Sequence, residues 1–143
     1  MMRAPLVLLL LLVVTTAATQ RDLGLLGEPI PPLPADIMAA AEGKPIPCTH
    51  GAFWEFPAFT GVCVRAPYRS RVHLQAEIDK IFERHALPPS YASEWVAEFS
   101  ASSKVWVWAA RPDVLAVVVL FYGAYSARRI EFAVIWGWEP VDP

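Results

Sequence analysis

Cys48 and Cys63 are the two cysteines of this 143-residue chain, and the stretch they bound reads CTHGAFWEFPAFTGVC. A thiol is a nucleophile when ionised and unpaired, and a cross-link when oxidised. His50 stands two residues from Cys48, but nearness in sequence does not build a catalytic dyad, and an oxidised pair leaves no nucleophile. Inside the stretch lie Phe53, Trp54, Phe56 and Phe59, with Glu55 among them. A carboxyl pressed against aromatic rings is pushed towards its neutral form by desolvation, which makes Glu55 a candidate acid. The rings themselves are candidate binding groups, because aromatic faces stack on flat apolar partners and anchor protein interfaces.

The remaining chemistry-bearing residues form no constellation. The chain holds neither a G-x-S-x-G elbow nor a phosphate-cradling glycine loop. A metal site needs three or four converging ligands. His73 and His85 lie about 18 Å apart along one expected helix at 1.5 Å per residue, too far to share an ion. No catalytic residue, metal or cofactor is assigned. Glu94 and Glu98, four apart, read as the solvated face of a helix. Glu131 follows Arg128 and Arg129, which either pair with it or charge a strand edge against aggregation. Trp106 and Trp108 share one strand face, as do Trp136 and Trp138. Where such faces are open they form a second aromatic platform, so Trp106 and Trp108 join Phe53, Trp54, Glu55, Phe56 and Phe59 as the candidate binding residues.

These residues need elements to hold them. Gly61 to Ala66 alternates, with Val62 and Val64 on one side and Cys63 and Arg65 on the other, as a short strand does. Pro57 argues against a regular central strand just before it. Ser70 is placed to cap a helix whose Leu74, Ile78, Ile81 and Phe82 recur at i, i+4, i+7 and i+8, a stripe facing a core. After Pro88 and Pro89 a second helix is expected, capped by Ser90 and carrying Tyr91, Trp95 and Phe99. KVWVWA then alternates. Val114 to Tyr122 is continuously apolar and β-branched, as a strand buried on both faces is. RIEFAVIWGW places Ile130, Phe132, Val134 and Trp136 on one face. The order strand, helix, helix, strand, strand, strand predicts an α+β fold with an antiparallel sheet of about four strands packed on two helices. In that order of elements the chain resembles the cystatin-like architecture. No inhibitory motif accompanies the resemblance, which implies an arrangement and no function.

The N-terminus supplies the setting. Arg3, the apolar run Leu6 to Val14, and small residues at Thr16 and Ala18 read as a secretory signal peptide over 1–18. The run is shorter than the roughly 20 apolar residues of a spanning helix, so no stable membrane span is expected after cleavage. Residues 19–47, with Pro29, Pro31, Pro32, Pro34, Pro45 and Pro47, read as a Pro-rich arm favouring extended polyproline II, with one or two helical turns expected at ADIMAAAEG between its proline runs, Asp36 near their start and Gly43 as a stop. A single domain is expected over 48–143. Export favours a Cys48–Cys63 disulfide and a periplasmic, cell-surface or extracellular destination. The net charge of −2 offers no basic excess for nucleic acid. The lead expectation is therefore an exported, non-catalytic module that recognises a protein or an envelope component. Two alternatives stand beside it: a small secreted hydrolase using Glu55 or Glu131 with His50, and a structural subunit whose aromatics are buried on assembly.

Overall fold

Pro31 and Pro32 open a helix. Pro32–Ala41 (α1) takes proline in its first turn, where the missing N–H has no helical partner to lose. The computed structural model of the chain describes residues 20–27, 29–48, 59–85, 87–98, 101–110, 113–126 and 129–140. The expected signal peptide lies outside them. Ahead of α1, Leu23 and Leu25 are buried, and Leu33 N–H bonds back to the Gly24 carbonyl at 2.8 Å. Gly24 adopts φ +69° with the His85 ring against it, a conformation and a closeness that favour glycine. Leu33, Pro34, Ile37 and Ala41 turn α1 into the core. The described part of 19–47 is thus part of the packed structure, correcting the expectation of an extended arm. Its prolines punctuate a helix and a strand.

After α1 come the strands Lys44–Ile46 (β1) and Thr60–Pro67 (β2), then the helix Arg71–Arg84 (α2). Ser70 occupies the N-cap position of α2 without a side-chain capping bond, and Leu74, Ile78, Ile81 and Phe82 are its buried stripe. Tyr91–Ala92 (β3) and Val96–Glu98 (β4) precede the long meander Ala101–Ala110 (β5), Asp113–Ser126 (β6) and Arg129–Pro140 (β7). One antiparallel sheet runs β1-β2-β7-β6-β5-β3, with β4 also on β5. The first long strand therefore pairs with the last, Val62 opposite Val134. α2 carries the chain across the sheet to its far side. The α+β class and the antiparallel sheet agree with expectation; the sheet has seven strands because β1, β3 and β4 are short additions at its edges.

Among the described residues no helix follows Pro89. Residues 90–98 instead make a bulged edge along β5. Tyr91 pairs with Val107 and Ala92 with Trp106, while Val96 pairs with Ser103, a register one residue out of step. Two serines serve this edge, Ser93 within the mismatch and Ser90 just ahead of β3. Ser90 Oγ accepts the Ala109 N–H and Ser93 Oγ accepts the Val105 N–H, both at 3.0 Å. Hydroxyls that bond nearby backbone compete with helix formation, and β5 presents a row of donors to be satisfied.

The core lies between the helices and one sheet face. Register puts Trp106, Val117 and Trp136 in one row and Trp108, Leu115 and Trp138 in the next. With Phe121, Phe132, Val134 and Val64 these rows meet Leu33, Ile37, Leu74, Ile78 and Ile81. From Val114 to Tyr122 β6 is buried or half-buried on both faces, as its composition implies. On the second face Cys63, Tyr122, Ala133 and Ile135 form a smaller cluster, with Ile46, Cys48, Phe59 and Leu120 packed against it.

Candidate functional site

Cys48 and Cys63 are joined by a disulfide, their Cα atoms 5.2 Å apart. The geometry follows from the sheet edge: β1 pairs Ile46 with Cys63, and Cys48 comes two residues later. Cys63 points away from the helices, so the bond lies on the second face. At the other end of the closed segment, Phe59 packs on the same face. Its ring lies directly over Gly137, where any Cβ would overlap it. Both described ends of the segment are therefore fastened to one side of the sheet. His50, Phe53, Trp54, Glu55 and Phe56 fall outside the described residues.

The strand tryptophans have a different place. Trp106 and Trp108 are 3% and 5% exposed and face the helices, correcting the expectation of an open platform. Phe82 stacks on Trp106, and Trp108 Nε1 donates to the Leu87 carbonyl at 3.0 Å. The alternation in KVWVWA was legible; which of its faces met the helices was not.

Of the charged residues that sequence spacing singled out, Glu94 and Glu98 lie on the bulged edge and not on a helix face, while Glu131, His73 and His85 face oppositely charged partners. Glu131 accepts from Arg65 Nε at 2.9 Å, with Arg129 Nε at 4.0 Å. Burial and then the charge of Glu131 hold the neighbouring Tyr122 hydroxyl above its ordinary pKa, partly offset by Arg65. His73 contacts Glu77, which also accepts from Arg69, while His85 Nε2 lies 3.4 Å from Asp36 on α1. The two histidines thus serve opposite ends of α2. Among the described residues no group of three or more His, Cys, Asp and Glu side chains is placed to hold a metal ion, and no helix is long and apolar enough to cross a membrane.

Sequence spacing did not reveal one arrangement. Asp79 on α2 and Lys104 on β5, 25 residues apart, meet at 2.8 Å. The second carboxylate oxygen of Asp79 accepts from Trp95 Nε1 at 3.1 Å, and Lys104 Nζ lies 5.1 Å from the centre of the Trp106 ring. Beside this cluster, at the C-terminal turn of α2, opens a groove of about 460 Å³ with Phe82, Glu83, Pro88, Pro89, Lys104 and Trp106 in its walls. Its residues converge only once α2 is laid across β5, and no local spacing announces that. Comparison of the chain with protein-family models, with curated proteins and with solved structures gave no match.

Proposed function

We propose that the chain is an exported, non-catalytic binding module that recognises a protein or envelope component through the disulfide-closed segment 48–63. The observation that carries this reading is the double fastening of that segment. The Cys48–Cys63 bond and the Phe59 ring over Gly137 hold its ends on one face of a rigid sheet. A short aromatic-rich stretch held at both ends binds with less loss of conformational entropy than a free one. Phe53, Trp54, Glu55 and Phe56 are the proposed contact residues, with Phe59 as their anchor and Trp106 and Trp108 as core. The disulfide is consistent with an oxidising, extracytoplasmic setting.

The test is co-purification of the tagged chain with components of the envelope, comparing the parent with the triple variant Phe53→Ala, Trp54→Ala, Phe56→Ala. A partner retained by the parent and lost from a variant whose unfolding midpoint is unchanged supports the reading. A variant that keeps the partner, or that unfolds, removes it. A second reading, an assembly subunit, draws on Tyr91 and Val96. Both sit on the second face, opposite Val107 and Ser103, and both are more than half exposed. A monomer by light scattering at high concentration ends that one.

A further inference from the structure

We propose that the second face of the sheet docks on the surface of an anionic lipid bilayer, with Lys44, Arg65 and Arg129 against the lipid headgroups. The residues that argue for it lie outside segment 48–63, so it does not depend on the loop reading.

Charge comes first. Cross-strand register puts Lys44, Arg65, Glu131 and Tyr122 in one row across β1, β2, β7 and β6. Arg129, two residues before Glu131 on β7, belongs to the same face. Three cations thus share this corner with one carboxylate. Glu131 accepts from Arg65 at 2.9 Å, while Arg129 stands off at 4.0 Å, and both guanidinium side chains are 47% exposed. Lys44 is exposed too and makes no ion pair among the described residues. The chain as a whole carries a net charge of −2, so this corner reverses the sign locally and attracts anions.

Breadth decides the partner. Tyr91 and Val96 stand on the same face at the opposite edge of the sheet, opposite Val107 and Ser103, and are 59% and 53% exposed. The order β1-β2-β7-β6-β5-β3 puts five strand spacings between the two edges, about 24 Å in all. Cations gathered in one pocket would suit a single phosphate or carboxylate. Cations at one edge, with a tyrosine and a valine at the other, suit a broad surface that is both anionic and apolar. An anionic bilayer is such a surface. Its negative potential attracts Lys and Arg held close to it, and tyrosine settles at the boundary between headgroups and acyl chains. An acidic peptide offers the charge without the continuous apolar layer beneath it.

The experiment sediments the oxidised chain, recovered after export and freed of 1–18, with vesicles of equal parts phosphatidylglycerol and phosphatidylcholine. Vesicles of phosphatidylcholine alone are the comparison. The expected result is partition to the anionic vesicles about tenfold stronger than to the neutral ones, and weakened by salt. Lys44→Gln and Arg129→Gln should each weaken it by about fivefold. Lys80→Gln makes the same change of charge on α2, which packs on the other face of the sheet, and should alter it by less than about twofold. Tyr91→Ser should weaken it by about threefold while leaving its response to salt unchanged. All four positions are exposed, and the unfolding midpoint of each variant checks that the fold is kept. Equal partition to the two kinds of vesicle, or equal losses from Lys44→Gln and Lys80→Gln, overturns the proposal. Poly-glutamate bound as tightly as the anionic vesicles would assign the corner to an acidic protein, and a dimer that Tyr91→Ser dissociates would assign the apolar edge to a second copy; either result overturns it as well. The loop reading is tested by co-purification of a variant in which these cations are intact, so the two can fail separately.

Discussion

The phenyl ring of Phe82 lies face to face with the indole of Trp106, centroids 3.7 Å apart and planes 2° from parallel. One ring comes from the last turn of α2 and the other from the middle of β5, so the pair fastens the crossover helix to the sheet. Trp95, from the bulged edge, meets the same indole edge-on at 5.8 Å. Three successive elements of the chain thus meet at a single indole.

Removing the phenyl ring should therefore be costly. Phe82→Ala is expected to lower unfolding free energy by about 3–5 kcal/mol, the usual range for a buried Phe truncation. Urea titration of the oxidised protein measures it. Val72 on the same helix is 75% exposed, and Val72→Ala should change stability by no more than about 0.5 kcal/mol. Similar costs at the two positions would mean that the stack does not hold the helix to the sheet.

The bulged edge makes a sharper local prediction. Ser93 Oγ is the acceptor for the Val105 N–H. Ser93→Ala leaves that donor without its partner at a cost of about 1–3 kcal/mol. Hydrogen exchange should show the Val105 amide losing protection, while Val118 in the sheet centre is slowed or quickened only by the change in global stability. Unchanged protection at Val105 would show that the hydroxyl is not what secures the bulge.

How much of this could be read beforehand depended on whether the determining contacts were local. Leu74, Ile78, Ile81 and Phe82 repeat with helical period, and the helix is found where they fall. Val114 to Tyr122 has no polar side to show solvent, and that part of β6 is covered on both faces. At Ser90–Glu98 the signal misled. Tyr91 and Trp95 are four apart, as on a helix face, but a one-residue bulge puts the first on the second face and the second against Trp106. The proline content of 29–47 suggested an arm because Pro32 and Pro34 read as extended, whereas both sit in the first turn of α1, where proline is tolerated. The Asp79–Lys104 cluster was invisible for a different reason: its members meet only through the crossover of α2.

The disulfide closes a segment with a sequence separation of 15. In the chain-entropy account, opening such a loop restores about 3 kcal/mol of freedom to the unfolded state. The double variant Cys48→Ser, Cys63→Ser should lose roughly that much stability by denaturant titration. The parent under reducing conditions should match it. If reduction leaves the unfolding midpoint unchanged, the cross-link does not constrain the unfolded chain as argued.

Tyr122 gives the pH dependence its sign. Its hydroxyl is held above the ordinary value of 10.0 by burial first and by Glu131 second. The folded state therefore resists ionisation that the unfolded state accepts. Below the unfolded value the contribution to stability is complete; as pH rises past it towards the higher folded value, stability is progressively lost. Tyr122→Phe should flatten that alkaline decline, measured as unfolding free energy against pH from about 8 to 11. An identical decline in the variant would assign the effect to other groups.

The contact between Phe59 and Gly137 admits the most discriminating measurement. Gly137 lies on β7 opposite Ala116, in the interior of the sheet, where glycine weakens a strand and some close approach accounts for it. Phe59 supplies that approach, since a Cβ at 137 would overlap its ring. Gly137→Ala must displace either the ring or the strand, at about 1–3 kcal/mol. Phe59→Ala alone loses the packing of the ring against the cluster on the second face. If the ring is the obstacle, Gly137→Ala becomes nearly neutral in the Phe59→Ala background, because the alanine methyl then enters vacated space. A double-mutant cycle reads this directly as a coupling of about 1 kcal/mol or more. Additivity within about 0.3 kcal/mol would instead mean that the two residues do not meet in solution. The Phe59 end of segment 48–63 would then be unfastened, and the rigid presentation proposed for its aromatic residues would lose one of its two supports.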